Sequence, residues 1–314
     1  MLPEIIALFF QFDEIQADAI ASKIRALFPG DVFHRGPLEN QTEFRASLTT
    51  AWPQFEEEAR RKLPTESTIA NAICDRILQW AIDLCKDQGM PLVQNFDEES
   101  ASCFRARKDS HYEIARKAYS LPLEALNAPL PDSARSMRLS RAGQSFFYAG
   151  SSTGTCLAEL RIPNGRSVTV GKFKFARPCQ LIDLRPLATL NYKASLFQSD
   201  YAERTVWTGI LRGLLSEFCQ PTWDDDPPCK NPKKFDFYAP TQYFTAYMRT
   251  KFPEAEAVIY PSAQSKPGDW NVAFFAGRET LLASDPLLLL EESFSVRSVS
   301  VEITYERVEV AGAE

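Results

Sequence analysis

Apolar side chains recur at helical spacing in the first third of the chain. The clearest run is Ile69, Ile73, Ile77, Trp80 and Leu84, which a 3.6-residue period places on one face. Thr65, Ser67 and Thr68 stand before it as candidate caps, because a hydroxyl there can accept from the free amides of a first helical turn. The pattern predicts a small helical unit from Met1 to about Asn95. Asp87 to Ser100, with Gly89, Pro91 and an Asp-Glu-Glu-Ser run, reads as its exit linker.

Beyond the linker the period shortens. Phe146 to Ala149, Ser167 to Phe175, Gln180 to Leu184, Ala257 to Tyr260 and Val272 to Phe275 read as strands, separated by helices at Thr153 to Arg161, Tyr201 to Cys219 and Pro240 to Phe252. Helices and strands do not alternate regularly, which favours α+β over a doubly wound sheet. In the second strand the apolar parity switches from Val168 and Val170 to Phe173 and Phe175 across Gly171, which predicts a bulge there. The tail Ser293 to Val310 alternates like one or two further strands. No repeat or low-complexity tract interrupts the chain.

Composition narrows the function classes. The 314 residues are 45% hydrophobic and 24% charged, as in a globular protein with a sizeable core. Net charge is -6 and the pI about 5.3, so no global positive field gathers nucleic acid or an acidic membrane surface. The seven cysteines, Cys74, Cys85, Cys103, Cys156, Cys179, Cys219 and Cys229, are odd in number, scattered and mostly set among apolar residues, which suits reduced thiols. Met1-Leu-Pro-Glu lacks a basic n-region, and no apolar segment approaches the roughly 20 residues of a membrane span. The expectation is a cytoplasmic protein.

Candidate chemistry is sparse. His34 and His111 are the two histidines, too few for a His-rich metal site. Cys219 and Cys229 bracket Trp223-Asp-Asp-Asp-Pro-Pro at a spacing that fits no zinc pattern, so that stretch reads as a solvated loop. No metal is expected. The strand at Phe146 runs into Gly150-Ser-Ser-Thr-Gly154-Thr155 and then a helix. The turn has neither the lysine of a P-loop nor the glycine spacing of a dinucleotide fingerprint, and by itself reads as a capped helix start. Cys156 near that start reads as a half-buried structural thiol. Glu159, on the same short helix, is either a surface salt-bridge partner or a half-buried acid facing a cleft. Arginines cluster before the turn at Arg105, Arg107, Arg135, Arg138 and Arg141. In an acidic chain this suggests a local phosphate site, with ordinary surface arginines as the alternative for Arg107 and Arg135.

Taken in order, these segments resemble the RES-domain family. The resemblance rests on Phe104-Arg105-Ala-Arg107, Arg138-Leu-Ser140-Arg-Ala-Gly143, Phe147-Tyr148-Ala149 and Thr155-Cys-Leu-Ala-Glu159-Leu-Arg161. It continues through Val168-Thr-Val170, Leu181-Ile-Asp183-Leu184, Tyr238-Ala-Pro240-Thr241-Gln242, Ile259-Tyr260-Pro-Ser262 and Asn271-Val-Ala-Phe274, covering about Cys103 to Phe275. The family is named for an Arg, a Glu and a Ser, matched here by Arg105, Glu159 and Ser262. Ser140, Cys156 and Ala257 stand where the family often has Asn, Ala and Gly.

The resemblance implies an α+β fold similar to ADP-ribosyltransferases, with a central mixed, split β-sheet behind a small helical N-terminal domain. The expected division is 1–95 for the helical domain, 96–285 for the RES domain and 286–314 for a C-terminal strand extension packed on it. It also implies cleavage of NAD at its nicotinamide glycosidic bond, as a glycohydrolase or phosphorylase, by a bacterial NAD-depleting toxin held in check by an antitoxin protein. NAD would be the substrate, with no cofactor, and inorganic phosphate an alternative acceptor to water. Glu159, Arg105 and Ser262 would be catalytic, and Arg105, Arg138, Tyr148 and Ser262 would bind NAD. No membrane and no nucleic acid are expected as partners. Two other readings stand beside this one. They are a mono-ADP-ribosyltransferase acting on a macromolecule, and a catalytically silent nucleotide-binding or interaction module in which Glu159 is incidental.

Overall fold

Ser67 caps the long N-terminal helix as its position suggests. Its backbone is extended, and its hydroxyl oxygen accepts from the Ala70 amide at 3.1 Å. The computed structural model describes residues 52–100, 102–108, 121–161, 168–189, 201–219, 238–262, 264–278 and 286–296. Its helices are α1 (52–61), α2 (Thr68–Asp87), α3 (Pro122–Leu126), α4 (Thr153–Leu160), α5 (Arg185–Thr189), α6 (Tyr201–Cys219) and α7 (Ala239–Lys251). Its strands are β1 (Val93–Phe96), β2 (Cys103–Lys108), β3 (Phe147–Gly150), β4 (Val168–Phe175), β5 (Cys179–Asp183), β6 (Ala255–Pro261), β7 (Trp270–Phe274) and β8 (Leu288–Val296).

The buried face of α2 is turned from the one the large apolar residues predict. Ala70, Cys74, Ile77, Leu78, Ala81, Leu84 and Cys85 face inward, whereas Ile69 is 51% exposed. Small side chains at Ala70, Cys74 and Ala81 let neighbouring helices approach closely, a property that hydropathy does not rank.

The eight strands form one mixed sheet in the order β1-β5-β6-β7-β3-β2-β4-β8, with β5 and β6 its parallel pair. Two segments differ from their sequence reading. Residues within the expected linker, Val93–Phe96, form edge strand β1, antiparallel to β5, because Val93 packs against the core while the chain reverses around Gly89. The boundary expected at 95 therefore falls inside a strand. β8 begins before the alternating tail and pairs along the whole of β4, from Phe175 opposite Leu288 to Val168 opposite Val296. Strand β2 and helix α5 had no counterpart in the periodicity, the former because alternating arginines mask its apolar face. The bulge expected at Gly171 appears as a register shift between Lys172 and Phe173. A Cβ at Gly171 would stand 2.5 Å from Leu126 Cδ1, so glycine lets α3 pack on the sheet here.

Between β2 and β3 the sheet is held by one residue pair, Phe104 opposite Gly150, so it splits at this point. The two faces carry separate cores. Phe147, Phe173, Phe175, Leu181, Ile259, Val272 and Phe274 fill one. The other joins Ile182, Val258, Tyr260 and Ala273 of the sheet to α2, α6 and α7. Tyr243 Oη donates to Asn71 Oδ1 at 2.9 Å, Trp80 Nε1 to Thr208 Oγ1 at 3.2 Å, and Lys251 pairs with Asp75 at 2.8 Å. The described helices of the N-terminal part thus share a core with the sheet. The described cysteines carry free thiols. No helix among the described residues is long and apolar enough to cross a membrane. His34, His111, Cys229, the Trp223 loop and the tail beyond Val296 lie outside the described residues.

Candidate active site

The turn after β3 places a helix directly on the sheet. Ser152 caps α4 by accepting from the Thr155 amide at 3.1 Å, and Ser151 accepts from the Trp270 amide at 3.2 Å. A Cβ at Gly150 would meet Thr155 Cγ2 at 3.1 Å and Cys156 Sγ at 3.2 Å, so the first turn of α4 seats against a bare backbone. Glu159 follows on the second turn. Asn271 of β7 lies opposite Gly150 on one side and Tyr260 on the other, with its side chain on their face of the sheet.

With no side chain at Gly150, the Asn271 amide reaches across to α4. Its Nδ2 donates to Glu159 Oε1 at 2.6 Å, and Ser262 Oγ, just past the end of β6, donates to the same oxygen at 2.9 Å. Oε2 of Glu159 receives no hydrogen bond among the described residues. The residue is half-buried, with Oε1 anchored by two donors.

Aromatic and cationic groups surround it on the same face. Tyr148, two residues before Gly150, shares a 2.9 Å hydrogen bond between its hydroxyl and Ser140 Oγ, and burial pushes that phenol up to about 12. Tyr260 is 5% exposed and burial raises its hydroxyl as well, with Arg138 acting in the opposite direction and Tyr148, Glu159 and Cys219 in the same one. Tyr260 lies opposite Asn271 in the sheet, and its ring centre is 6.2 Å from that of Phe218. Arg138 is 7% exposed, donates Nη1 to the Phe218 carbonyl, and has no hydrogen-bond partner for its Nε among the described residues. Its loop is pinned by the first turn of α7. Thr241 Oγ1 donates to the Arg138 carbonyl at 2.6 Å, and Gln242 Nε2 to the carbonyls of Met137 at 2.6 Å and Ser140 at 3.1 Å. Cys219 Sγ donates to the Pro261 carbonyl at 3.3 Å, beside Ser262.

Arg105 occupies the split in the sheet. Its Nη1 donates to the Tyr148 carbonyl at 2.7 Å and its Nη2 to the Asn127 carbonyl at 3.3 Å, while the guanidinium lies 4.5 Å from the Phe147 ring centre. Burial, then the charge of Arg107, lowers its guanidinium to about 10. Arg105 thus meets the site through the backbone of Tyr148 and makes no hydrogen bond to Glu159 or Ser262. The other arginines of the cluster diverge. Arg107 donates to the Ala125 carbonyl at 2.7 Å, Arg141 to those of Ala59 and Lys62 at 3.1 and 3.0 Å, and Arg135 is exposed. Cys156 donates its thiol to the Phe104 carbonyl at 2.9 Å, and burial pushes it up to about 12, which keeps it neutral as a structural thiol.

Of the candidate residues, Glu159 and Ser262 touch directly, Arg138 and Tyr148 line the same face, and Arg105 supports it from behind. Asn271 and Tyr260 were motif residues without an assigned role. The signal for Asn271 is legible afterwards, as the one amide in a strand whose five residues are all buried.

Residues 103–296 match the family model of the RES domain. The chain belongs to the RES-domain family. The RES match runs through β8, beyond the Phe275 limit of the motif resemblance, in keeping with the full-length pairing of that strand with β4. Among solved structures, a chain of the M. tuberculosis MbcT-MbcA toxin-antitoxin complex is similar at 12% identity, over 71% of this RES protein and 92% of that chain, with a TM-score of 0.36. A comparison with curated proteins finds no match.

Proposed function

We propose that this chain breaks the nicotinamide glycosidic bond of NAD, as a glycohydrolase or phosphorylase, and acts as an NAD-depleting toxin restrained by an antitoxin protein. The observation that carries the reading is the Glu159 carboxylate, anchored at Oε1 by Ser262 and Asn271, on a sheet face that also carries Tyr148 and Tyr260, with Arg138 held nearby at the Phe218 carbonyl. Membership of the RES-domain family supports it.

The chemistry follows from the leaving group. Nicotinamide in NAD carries a positive charge on its ring nitrogen. When the C1'–N bond breaks, both electrons move to that nitrogen, so a neutral base departs without a general acid. Positive charge then develops on the ribose as an oxocarbenium-like centre. A fixed carboxylate beside it stabilises that charge and orients the 2'-hydroxyl or the incoming acceptor. Attack by water yields ADP-ribose and a proton, and attack by inorganic phosphate yields ADP-ribose 1''-phosphate. Half-buried Tyr148 offers aromatic surface for the nicotinamide or adenine ring, and the guanidinium of Arg138, whose Nε has no hydrogen-bond partner among the described residues, offers positive charge for the pyrophosphate. Ser262 acts here through Glu159, and Arg105 through the strand that carries Tyr148.

The experiment is incubation of the purified full chain with NAD, with and without inorganic phosphate, followed by mass analysis. Release of nicotinamide with ADP-ribose in both conditions assigns hydrolysis, and a phosphate-dependent sugar phosphate assigns phosphorolysis. Transfer of ADP-ribose to a protein or nucleic acid would replace this reading with the transferase. Nucleotide binding without nicotinamide release would replace it with the silent module.

A further inference from the structure

Asn271 is a polar side chain where its strand neighbours Trp270, Val272, Ala273 and Phe274 are apolar and buried. An amide in such a place costs desolvation unless it is bonded, so its partner explains its presence. That partner is the carboxylate oxygen that also receives Ser262. The side-chain NH2 is the end that can face a carboxylate, since the amide oxygen and the carboxylate are both acceptors.

Glutamate has three side-chain torsions, and α4 presents Glu159 from only its second turn. A single donor would leave the carboxylate free to swing about that one bond. Here two donors converge on Oε1, one from β7 and one from the residue that follows β6, and these two strands are themselves paired, with Tyr260 opposite Asn271 and Pro261 opposite Trp270. Rotation of the carboxylate would break both bonds.

We infer that Asn271 is a positioning residue for the reaction: together with Ser262 it fixes Oε1 of Glu159 so that Oε2 is presented to the reacting ribose. This rests on the NAD-cleaving reading of the site. Holding a catalytic group in its reactive orientation acts on the transition state rather than on ground-state binding, so its loss falls on kcat more than on KM.

The test uses Asn271→Ala and Asn271→Leu, each made in the parent and in a Glu159→Gln background, with nicotinamide release from NAD and the thermal midpoint measured for all. In the parent, Asn271→Ala is expected to lower kcat about tenfold to hundredfold with KM changed less than about threefold. In the Glu159→Gln background, where no charged carboxylate remains to be aimed, the same substitution should change residual turnover less than about twofold. Asn271→Leu keeps the approximate volume of the side chain in a strand whose other residues are apolar, so it leaves no cavity. It has no donor and should lose about as much activity as the alanine variant. A folded Asn271→Leu protein with parental kcat overturns the inference, as does an equal loss in both backgrounds, which would mark Asn271 as packing alone. A parent that releases no nicotinamide overturns the NAD reading and this inference together, whereas an active parent indifferent to Asn271 overturns the positioning role alone.

Discussion

Glu159 and Ser262 stand 103 residues apart in the chain, and their side-chain oxygens meet at 2.9 Å. One rides on a two-turn helix seated over Gly150 and the other follows the end of β6. Their contact makes Glu159 a residue with a defined orientation rather than a surface acid, and it sets the terms of the predictions.

Glu159→Gln keeps the size of the side chain and its ability to accept from Ser262 and Asn271, but removes its charge. Turnover of NAD is expected to fall at least about a hundredfold while NAD still binds. Single-turnover kinetics beside calorimetric titration with NAD measure the two separately. Near-parental turnover by the folded variant would remove Glu159 from the mechanism. Any toxicity on expression should be relieved by the same substitution.

Arg105→Ala strips donors from the carbonyls of Tyr148 and Asn127 at the place where the sheet splits. Losing bonds from a charged donor to buried carbonyls is expected to cost about 2–3 kcal/mol of stability. Urea denaturation measures this. Comparing affinities for NAD and nicotinamide riboside then shows what substrate contact the arginine makes, since a loss confined to NAD marks a pyrophosphate contact and an equal loss marks displacement of Tyr148.

Glu217 on α6 gives the fold a pH dependence of its own. Its Oε2 is buried without a hydrogen-bond partner among the described residues, and burial, then the Glu56 carboxylate, raises the group from 4.5 to about 7, with Arg60 acting in the opposite direction. The unfolded chain releases this proton near 4.5 and the folded one near 7. Between those values the folded state binds more protons, so stability falls as pH rises through that window and levels off above it. Glu217→Gln should flatten this slope and raise stability at pH 8 by on the order of 1 kcal/mol once solvent screening is allowed for, with a correspondingly higher unfolding midpoint. Thermal melts from pH 5 to pH 8 check it, and parallel curves for parent and variant would contradict it.

Removal of residues 1 to 95 tests how far the helical part is separable. It would take most of β1 from β5 and withdraw α2 from the cluster containing Ile182, Val258 and Tyr260. The truncated chain is expected to lose cooperative unfolding, and residues 87 to 100 of the intact chain should resist limited proteolysis. Calorimetry of the truncated protein decides between this and an independent N-terminal domain, which would leave a parent-like transition.

Local patterning by itself determined the element types around the site. Helices at Thr153 and Tyr201, the strands containing Tyr148, Val258 and Val272, and the bulge beside Gly171 all follow from period, parity and a missing Cβ, which are properties of neighbours in the chain. The ordered motifs carried the family and singled out Glu159 and Ser262, whose side chains meet in the fold. What the tertiary structure decided is everything that depends on partners distant in sequence. Whether Val93 to Phe96 is linker or strand is set by the free edge of β5. Which face of α2 is buried is set by how closely α6 and α7 approach. Arg105 and Arg138 are alike as letters, yet one fills the split of the sheet behind Tyr148 and the other holds the carbonyl of Phe218, whose ring meets Tyr260. Asn271 became legible only when Gly150 left room for its amide to reach Glu159. A side chain's role follows from the groups that satisfy its charge and hydrogen bonds, and in this fold those groups arrive from strands and helices that the order of residues does not bring together.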